Sequence, residues 1–373
     1  MNKYSLLIFV TIITGIFISF SACDTNTNVG LEESLASVYD VTPIEGAQDE
    51  AMQLKHGDSQ DSFFSVQLAD GLNRDGWCIE WNEDANFGIQ NGVKLFSTKG
   101  HEEWNALNYF MSIKDDLRAE DPELTFREIQ VIIWSLIENP SFDVSKISEY
   151  DNISSRIYAD GQLLFDIEKV KSILSKVKSH LEDKVIDKIP GVTLIENDGQ
   201  TIMVGNETAY AVKTKGINGD TIVDDDYSTC FDEEIMPGVS FNNWGWTNGP
   251  LSDPSGPMTY AIYAGAGQCD LNKGTKVGEL AAEYSNGTLT VTYTMTETSG
   301  YTGSLYTLEE THVYAGNDPY PKNPGGKYTV APGQYGNQET HDNITEYTYE
   351  IDGLSGDIYF IAHAVVSGFN PEE

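Results

Sequence analysis

The 373-residue chain carries 58 acidic and 22 basic side chains, which give it a formal net charge of −36. A chain this negative repels phosphate groups, so its charge excludes nucleic acid and anionic lipid head groups as partners. The Gly-x-Ser-x-Gly elbow and the phosphate-binding loop, two common catalytic patterns, do not occur in it. We therefore expect a protein without enzymatic activity and without a bound cofactor or metal.

The N-terminus predicts export and lipid attachment. Lys3 precedes an apolar run over residues 6–20, which is the arrangement of a secretory signal. The run is too short to span a membrane comfortably, and it ends in Ser21-Ala22-Cys23. This ending resembles the lipobox of bacterial lipoproteins, which implies a signal peptide at 1–22 and acylation of Cys23. The alternative is an ordinary signal peptide followed by a chance cysteine.

Polarity divides the rest of the chain into three parts. Residues 23–60 are rich in acidic and small polar side chains, so they predict a flexible acidic tether. Residues 61–373 are enough for two domains. The three aspartates at 224–226 are interpreted as a solvated linker, which separates a first domain at 61–222 from a second at 223–373.

The first domain alternates between strand and helix patterns. Strand-like segments separated by turn signals occupy 63–96, and one of them is expected to continue through 77–81. Apolar residues at three- and four-residue steps predict helices over 101–117, 126–138 and 163–187, the second of which opens with a capping box. Strand patterns return at 192–195, 201–204 and 209–214. Together these elements predict an α+β domain.

The second domain has β character throughout. Thr and Tyr alternate with apolar residues in 288–293 and 358–363, and glycines and prolines separate such segments. We expect a β-sandwich. His312 and His363 fall in two strand-like segments and could meet across a sheet. No third metal ligand accompanies them, so we expect structural histidines with satisfied hydrogen bonds.

The four cysteines leave one without an evident partner. Cys23 is assigned to the lipid, and Cys230 and Cys269 lie in one strand-rich region, where an oxidising compartment favours a disulfide between them. Cys78 then remains. An unpaired cysteine in an exported protein suggests an intermolecular bond or chemical reactivity.

Cys78 has a potential chemical partner in Gln130. A thiol and a carboxamide held together can lose ammonia to form a thioester, an electrophile that persists only where water is excluded. Three tryptophans lie close in sequence to these two residues, and one carboxylate shares a strand face with the cysteine. The expected pocket therefore consists of Trp77, Glu80, Trp81 and Trp134. The alternative is a buried free cysteine beside an ordinary helix glutamine.

The two motifs resemble those of the thioester domains of Gram-positive surface adhesins. That family has an aromatic-Cys-aliphatic strand motif, matched at Cys78, and a Thr-Gln-x-Ala-Ile-Trp motif, matched at Gln130 and Trp134. In this chain isoleucine replaces the Thr and the Ala, and a lipid anchor replaces the sortase signal. The resemblance covers residues 63–222. It implies an internal thioester that bonds covalently to an amine of a target protein.

The sequence thus predicts a lipid-anchored adhesin on a bacterial cell surface, with the outer membrane as the favoured location. Its predicted partner is a host or neighbouring surface protein, attached through a lysine amine. The alternative is a surface lipoprotein that binds carbohydrate or protein noncovalently through Trp244, Trp246 and nearby tyrosines.

Overall fold

The computed structural model describes residues 41–368 apart from 45, 58–61, 70, 138–141, 184–188, 197–198, 218–219, 242 and 301–302. The predicted signal peptide, Cys23 and the first part of the predicted tether lie outside the described residues. Strands hold 43 % of the described residues and helices 19 %, so this part of the protein is mostly β. Residues within 44–204 build one hydrophobic core, and residues within 209–366 build two more. We call residues 41–204 the N-terminal unit and residues 207–368 the C-terminal unit.

Most strands of the N-terminal unit join one antiparallel sheet. The strands are β1 (Thr42–Pro43), β2 (Glu50–His56), β3 (Phe64–Gln67), β4 (Asn73–Cys78), β5 (Gly88–Ser97), β6 (Tyr158–Ala159), β7 (Gln162–Leu163), β8 (Thr193–Glu196) and β9 (Ile202–Val204). The sheet order is β1-β5-β2-β3-β4-β9-β8, and β6 and β7 form a separate hairpin. Because β8 also pairs with β5, the sheet closes into a ring. Closure removes strand edges that could pair with other chains.

Three helices pack into the core of the N-terminal unit, close to the predicted ranges. They are α1 (Asn105–Glu120), α2 (Phe126–Leu136) and α3 (Ile167–Asp183), and 3₁₀ turns occupy Glu102–Trp104 and Val144–Glu149. The predicted capping box opens α2: the Thr125 hydroxyl accepts from the Arg127 amide at 3.2 Å, and the Glu128 carboxylate accepts from the Thr125 amide at 3.0 Å. Residues 126–134 of α2 are buried except Arg127, so this helix carries side chains into the interior.

The C-terminal unit consists of strands with short connections. The strands are β10 (Glu207–Val212), β11 (Thr214–Ile217), β12 (Asp220–Val223), β13 (Ser228–Cys230), β14 (Trp246–Leu251), β15 (Ser255–Ala264), β16 (Thr275–Ser285), β17 (Thr288–Met295), β18 (Thr307–Gly316), β19 (Asn337–Ile344), β20 (Glu346–Ile351) and β21 (Ile358–Ser367), with 3₁₀ turns at Gly267–Cys269 and Pro332–Gln334. The strand order of the main sheet is β13-β14-β21-β10-β15-β16-β17-β20. In addition, β18 pairs with both β21 and β19, while β11 and β12 form a separate hairpin. Alternate residues of β10 enter different cores, so this strand is buried on both faces.

The folded units begin earlier than the sequence suggested. Strand β2 lies within the range 23–60 that was predicted as a tether, and its Met52 and Leu54 are buried while Ala51 and Lys55 are exposed. A polar average composition therefore concealed a short amphipathic strand. Strand β10 lies within the predicted first domain, 61–222, yet it pairs with β15 and β21 of the C-terminal unit. The change of unit falls near residues 205–206.

Polar contacts join the two units around a cavity. The Arg74 guanidinium Nε lies 2.7 Å from a Glu207 carboxylate oxygen, and the Lys99 ammonium lies 2.9 Å from Glu309. Both glutamates belong to the C-terminal unit. The cavity between the units has a volume of about 1040 Å³ and is lined by residues of both.

Candidate functional site

Cys78 is the last residue of β4, and one side of the strand lacks a neighbour there. On the β9 side Cys78 lies opposite Ile202. On the other side β3 begins at Phe64, which pairs with Gly76, so the ladder stops before Cys78. The N–H of Ile79 donates toward the β9 side, so the N–H and C=O of Cys78 face the open side. The strand expected over 77–81 thus ends early, and two buried backbone groups need partners.

The side chain of Gln130 supplies both partners. Its Oε1 accepts a hydrogen bond from the Cys78 N–H at 2.9 Å, and its Nε2 donates to the Cys78 C=O at 2.9 Å. Gln130 is fully buried, and Cys78 is 5 % exposed. The carboxamide therefore occupies the place that a neighbouring strand would take. The two residues paired in the sequence analysis, 52 positions apart, lie in direct contact.

This contact places an electrophilic carbon beside the residue that carries the nucleophile. Condensation would form a bond from the Cys78 sulfur to the Gln130 carboxamide carbon and would break the C–N and S–H bonds. Nitrogen would leave as ammonia with the thiol proton. The Cys78 N–H already donates to the carbonyl oxygen on which negative charge would develop, which is the role of an oxyanion-hole donor.

Burial and two nearby charges determine the protonation of the thiol. Burial raises the pKa of Cys78 well above its ordinary value, the Glu80 carboxylate raises it further, and the Arg156 guanidinium lowers it. The thiol is therefore protonated at neutral pH. Condensation requires removal of its proton, so a cation near Cys78 favours the reactive form.

Glu80 is held rigidly beside Cys78. Its carboxylate accepts from the Thr201 amide at 2.9 Å, from the Thr201 hydroxyl at 2.7 Å and from Gln200 Nε2 at 2.8 Å. Burial raises the pKa of Glu80 to about 7, although the hydrogen bonds from Thr201 lower it. A carboxyl group with this pKa exchanges protons close to neutral pH, which suits a group that accepts a proton during acyl transfer.

Arg156 is a site residue that the sequence analysis missed. Its guanidinium carbon lies 4.7 Å from the ring centre of Phe63 and 4.3 Å from that of Phe126, the first residue of α2. Arg127 donates from Nε to the backbone carbonyl of Arg156 at 2.9 Å. The one feature of the sequence that could have drawn attention to Arg156 is the rarity of arginine: the chain has four, and two of them meet here.

Two of the predicted pocket tryptophans belong to one aromatic layer. The Trp134 ring lies 6.3 Å from Phe63 and 5.5 Å from Phe142. The Trp81 ring lies 6.2 Å from Phe142 and 4.4 Å from Tyr150. Phe63, Trp134 and Phe142 are buried in the core that also contains Cys78, and Trp81 and Tyr150 pack against this core. Trp77 is also fully buried, but it lines the cavity between the units.

The C-terminal unit contains the predicted disulfide, the two tryptophans of the alternative binding surface and the aspartate run. Cys230 and Cys269 form a disulfide with Cα atoms 6.1 Å apart. Trp246 is 1 % exposed and belongs to a core, so it cannot contribute to a contact surface, while Trp244 is half-buried and lines the cavity. The first aspartate of the run at 224–226 accepts from the Lys215 ammonium at 2.8 Å and so closes the β11–β12 hairpin.

Comparisons of the chain with models of protein families, with curated proteins and with solved structures find no match. The function must therefore be argued from the geometry of the site. Among the helices of the described residues, none has the length and apolar character needed to cross a membrane.

Proposed function

We propose that the protein is a lipid-anchored bacterial surface adhesin that stores an internal thioester between Cys78 and Gln130 and transfers the Gln130 acyl group to an amine of a target protein. The observation that carries this proposal is the pair of buried hydrogen bonds between the Gln130 carboxamide and the Cys78 backbone. These bonds hold the carboxamide against the backbone of Cys78, the residue that carries the thiol. Such restriction gives an intramolecular reaction a large advantage over attack by an external thiol.

The surroundings of the pair support storage of a reactive bond. Cys78 and Gln130 are both buried, and the aromatic layer formed by Phe63, Trp81, Trp134, Phe142 and Tyr150 lies beside them. A thioester in this position would be protected from hydrolysis. A target amine reaches it only when part of the layer moves aside, so docking of the target protein is expected to control the reaction.

Transfer to a lysine of the target follows the reverse of condensation. The amine nitrogen attacks the acyl carbon, a new amide C–N bond forms, and the C–S bond breaks. Cys78 leaves as a thiolate that Arg156 stabilises and that takes up the proton lost by the amine. Glu80 can accept that proton in transit, because its carboxylate is near enough to raise the pKa of the thiol and, with a pKa of about 7, is partly ionised at neutral pH.

The fold belongs to the same proposal. The N-terminal unit would be an α+β thioester-type domain, in which the ring of strands presents Cys78 and α2 presents Gln130. The C-terminal unit would be a β-sandwich that holds the first unit away from the cell surface. The lipid at Cys23 would anchor the chain, with the outer membrane as the favoured location.

The proposal is tested with methylamine, a small amine that can enter the site without a docking partner. Treatment of the fresh protein should add methylamine to Gln130 and release the Cys78 thiol at the same time, both located by peptide mapping. The Cys78→Ala variant is the matched control, because it keeps the Cys78 backbone groups that bind the carboxamide and lacks only the thiol. Equal labelling of Gln130 in the control would show that the amine reaction does not depend on a thioester.

A further inference from the structure

The cavity between the two units has a pair of histidines in its wall. His312 of β18 and His363 of β21 are directly opposite each other in the antiparallel ladder, and both line the cavity. Their ring centres are 5.1 Å apart, with the ring planes nearly perpendicular. Residues opposite each other in an antiparallel pair have their side chains on the same face, so both imidazoles share one small region.

The expectation that these histidines have satisfied hydrogen bonds is wrong. Nδ1 of His312 and Nδ1 of His363 are buried, and neither has a hydrogen-bond partner among the described residues. His341, on the neighbouring strand β19, gives the contrast: its Nε2 pairs with the Thr311 hydroxyl at 2.8 Å. A buried polar atom without a partner is costly and requires an explanation.

Glu310 orients one ring of the pair. Its carboxylate Oε2 lies 3.3 Å from Nε2 of His312, which leaves Nδ1 as the nitrogen with a free lone pair. A carboxylate on one nitrogen of a histidine whose other nitrogen is free is the arrangement found around metal-bound histidines.

We propose that His312 and His363 bind one divalent transition-metal ion such as Zn²⁺ through one ring nitrogen each, with water completing the coordination. Neutral imidazole nitrogens are preferred ligands for Zn²⁺ and related ions. Both residues line the cavity, which has ample space for bound water. Asp115 and Asp116 of α1 line the same cavity, and the negative charge of the whole chain attracts cations.

The experiment is calorimetric titration of the metal-free mature protein with Zn²⁺, repeated with His312→Gln and His363→Gln. We expect wild type to have one tight site that both variants lose. His101→Gln is the matched control, because His101 is in the N-terminal unit with its ring on Thr42, and it should keep the site. Glu310→Gln should weaken binding about 10- to 100-fold through loss of orientation alone.

Two further measurements keep the result interpretable. Circular dichroism and urea unfolding in EDTA establish whether each variant is folded without metal. If a histidine variant does not fold, the visible spectrum of Co²⁺ bound to wild type decides, since nitrogen ligation produces absorption that aqueous Co²⁺ lacks. A wild type without a tight Zn²⁺ site, or a site unchanged in both histidine variants, would overturn the proposal. Neither outcome bears on the thioester, because Cys78 and Gln130 do not line this cavity.

Discussion

The Gln130 carboxamide should contribute to stability whether or not it reacts, and one pair of variants isolates this contribution. In a Cys78→Ala background no thioester can form, yet the backbone groups at position 78 remain. Adding Gln130→Met then keeps the length and approximate volume of the side chain and removes both hydrogen bonds to that backbone.

The expected loss of stability follows from the two backbone groups that the double variant leaves without hydrogen-bond partners. The N–H and C=O at position 78 are buried, and a buried backbone group that loses its partner costs about 1–3 kcal/mol. Two such groups give a loss of about 2–6 kcal/mol. We expect a value in the lower half of this range, because the substitution also removes the cost of burying a polar carboxamide. This is a large share of the ~5–15 kcal/mol that stabilises an ordinary domain.

Urea unfolding followed by far-UV circular dichroism measures the difference between the double variant and Cys78→Ala. The urea concentration at the midpoint of unfolding should fall, while the slope of the unfolding free energy against urea concentration stays constant. Gln67→Met is the control, because the side chain of this half-buried glutamine donates a solvent-exposed hydrogen bond to the Gly71 carbonyl, and the loss of that bond should change stability by less than ~0.5 kcal/mol. If the double variant unfolds at the same urea concentration as Cys78→Ala, the carboxamide does not support β4, and the reasoning about the site geometry fails.

Three further predictions concern the anchor, the disulfide and the charges at the site. Replacing Cys23 by Ser should abolish lipid labelling and release the protein into the soluble fraction, and labelling that persists would reject the lipobox. Removing Cys230 and Cys269 together should lower the free energy of unfolding by about 4 kcal/mol. This is the chain-entropy value for closing a loop between cysteines that are 39 positions apart. A peptide map that finds both thiols free in oxidised wild type would refute the disulfide. In a Gln130→Met protein, where the thiol is free, Arg156→Gln should raise the thiol pKa and slow its alkylation, while Glu80→Gln should lower the thiol pKa and speed alkylation. The same direction of change in both charge variants would contradict the electrostatic description of the site.

Local signals in the sequence were enough to predict where the helices lie. The capping box fixed the start of α2 at Phe126, and the three helices lie close to their predicted ranges. Domain boundaries were harder, because the visible aspartate run at 224–226 lies in a turn after the β11–β12 hairpin. The change of unit, near residues 205–206, is marked only by a short Gly-Asn pair, and it is the long-range partners of β9 and β10 that assign these strands to different units.

The candidate site was predictable as a pair of residues and not as an arrangement. The odd cysteine count and the two motifs pointed to Cys78 and Gln130. Sequence pattern alone could not show that the pairing between β3 and β4 stops before Cys78, which is the reason a carboxamide is needed there. Arg156 lies outside any regular helix or strand, so no periodicity indicated its approach to the site.

The intact mass of the freshly purified mature protein, prepared without amine buffers, distinguishes a stored thioester from a free thiol. A stored thioester gives a mass one ammonia below that of the disulfide-bonded sequence, with no thiol available after unfolding in mild acid. Both Cys78→Ala and Gln130→Met should have the full mass expected from their sequences. A wild-type protein of full mass, with Cys78 titrating as a free thiol once unfolded, would contradict the thioester and leave Gln130 as a buried support for the end of β4.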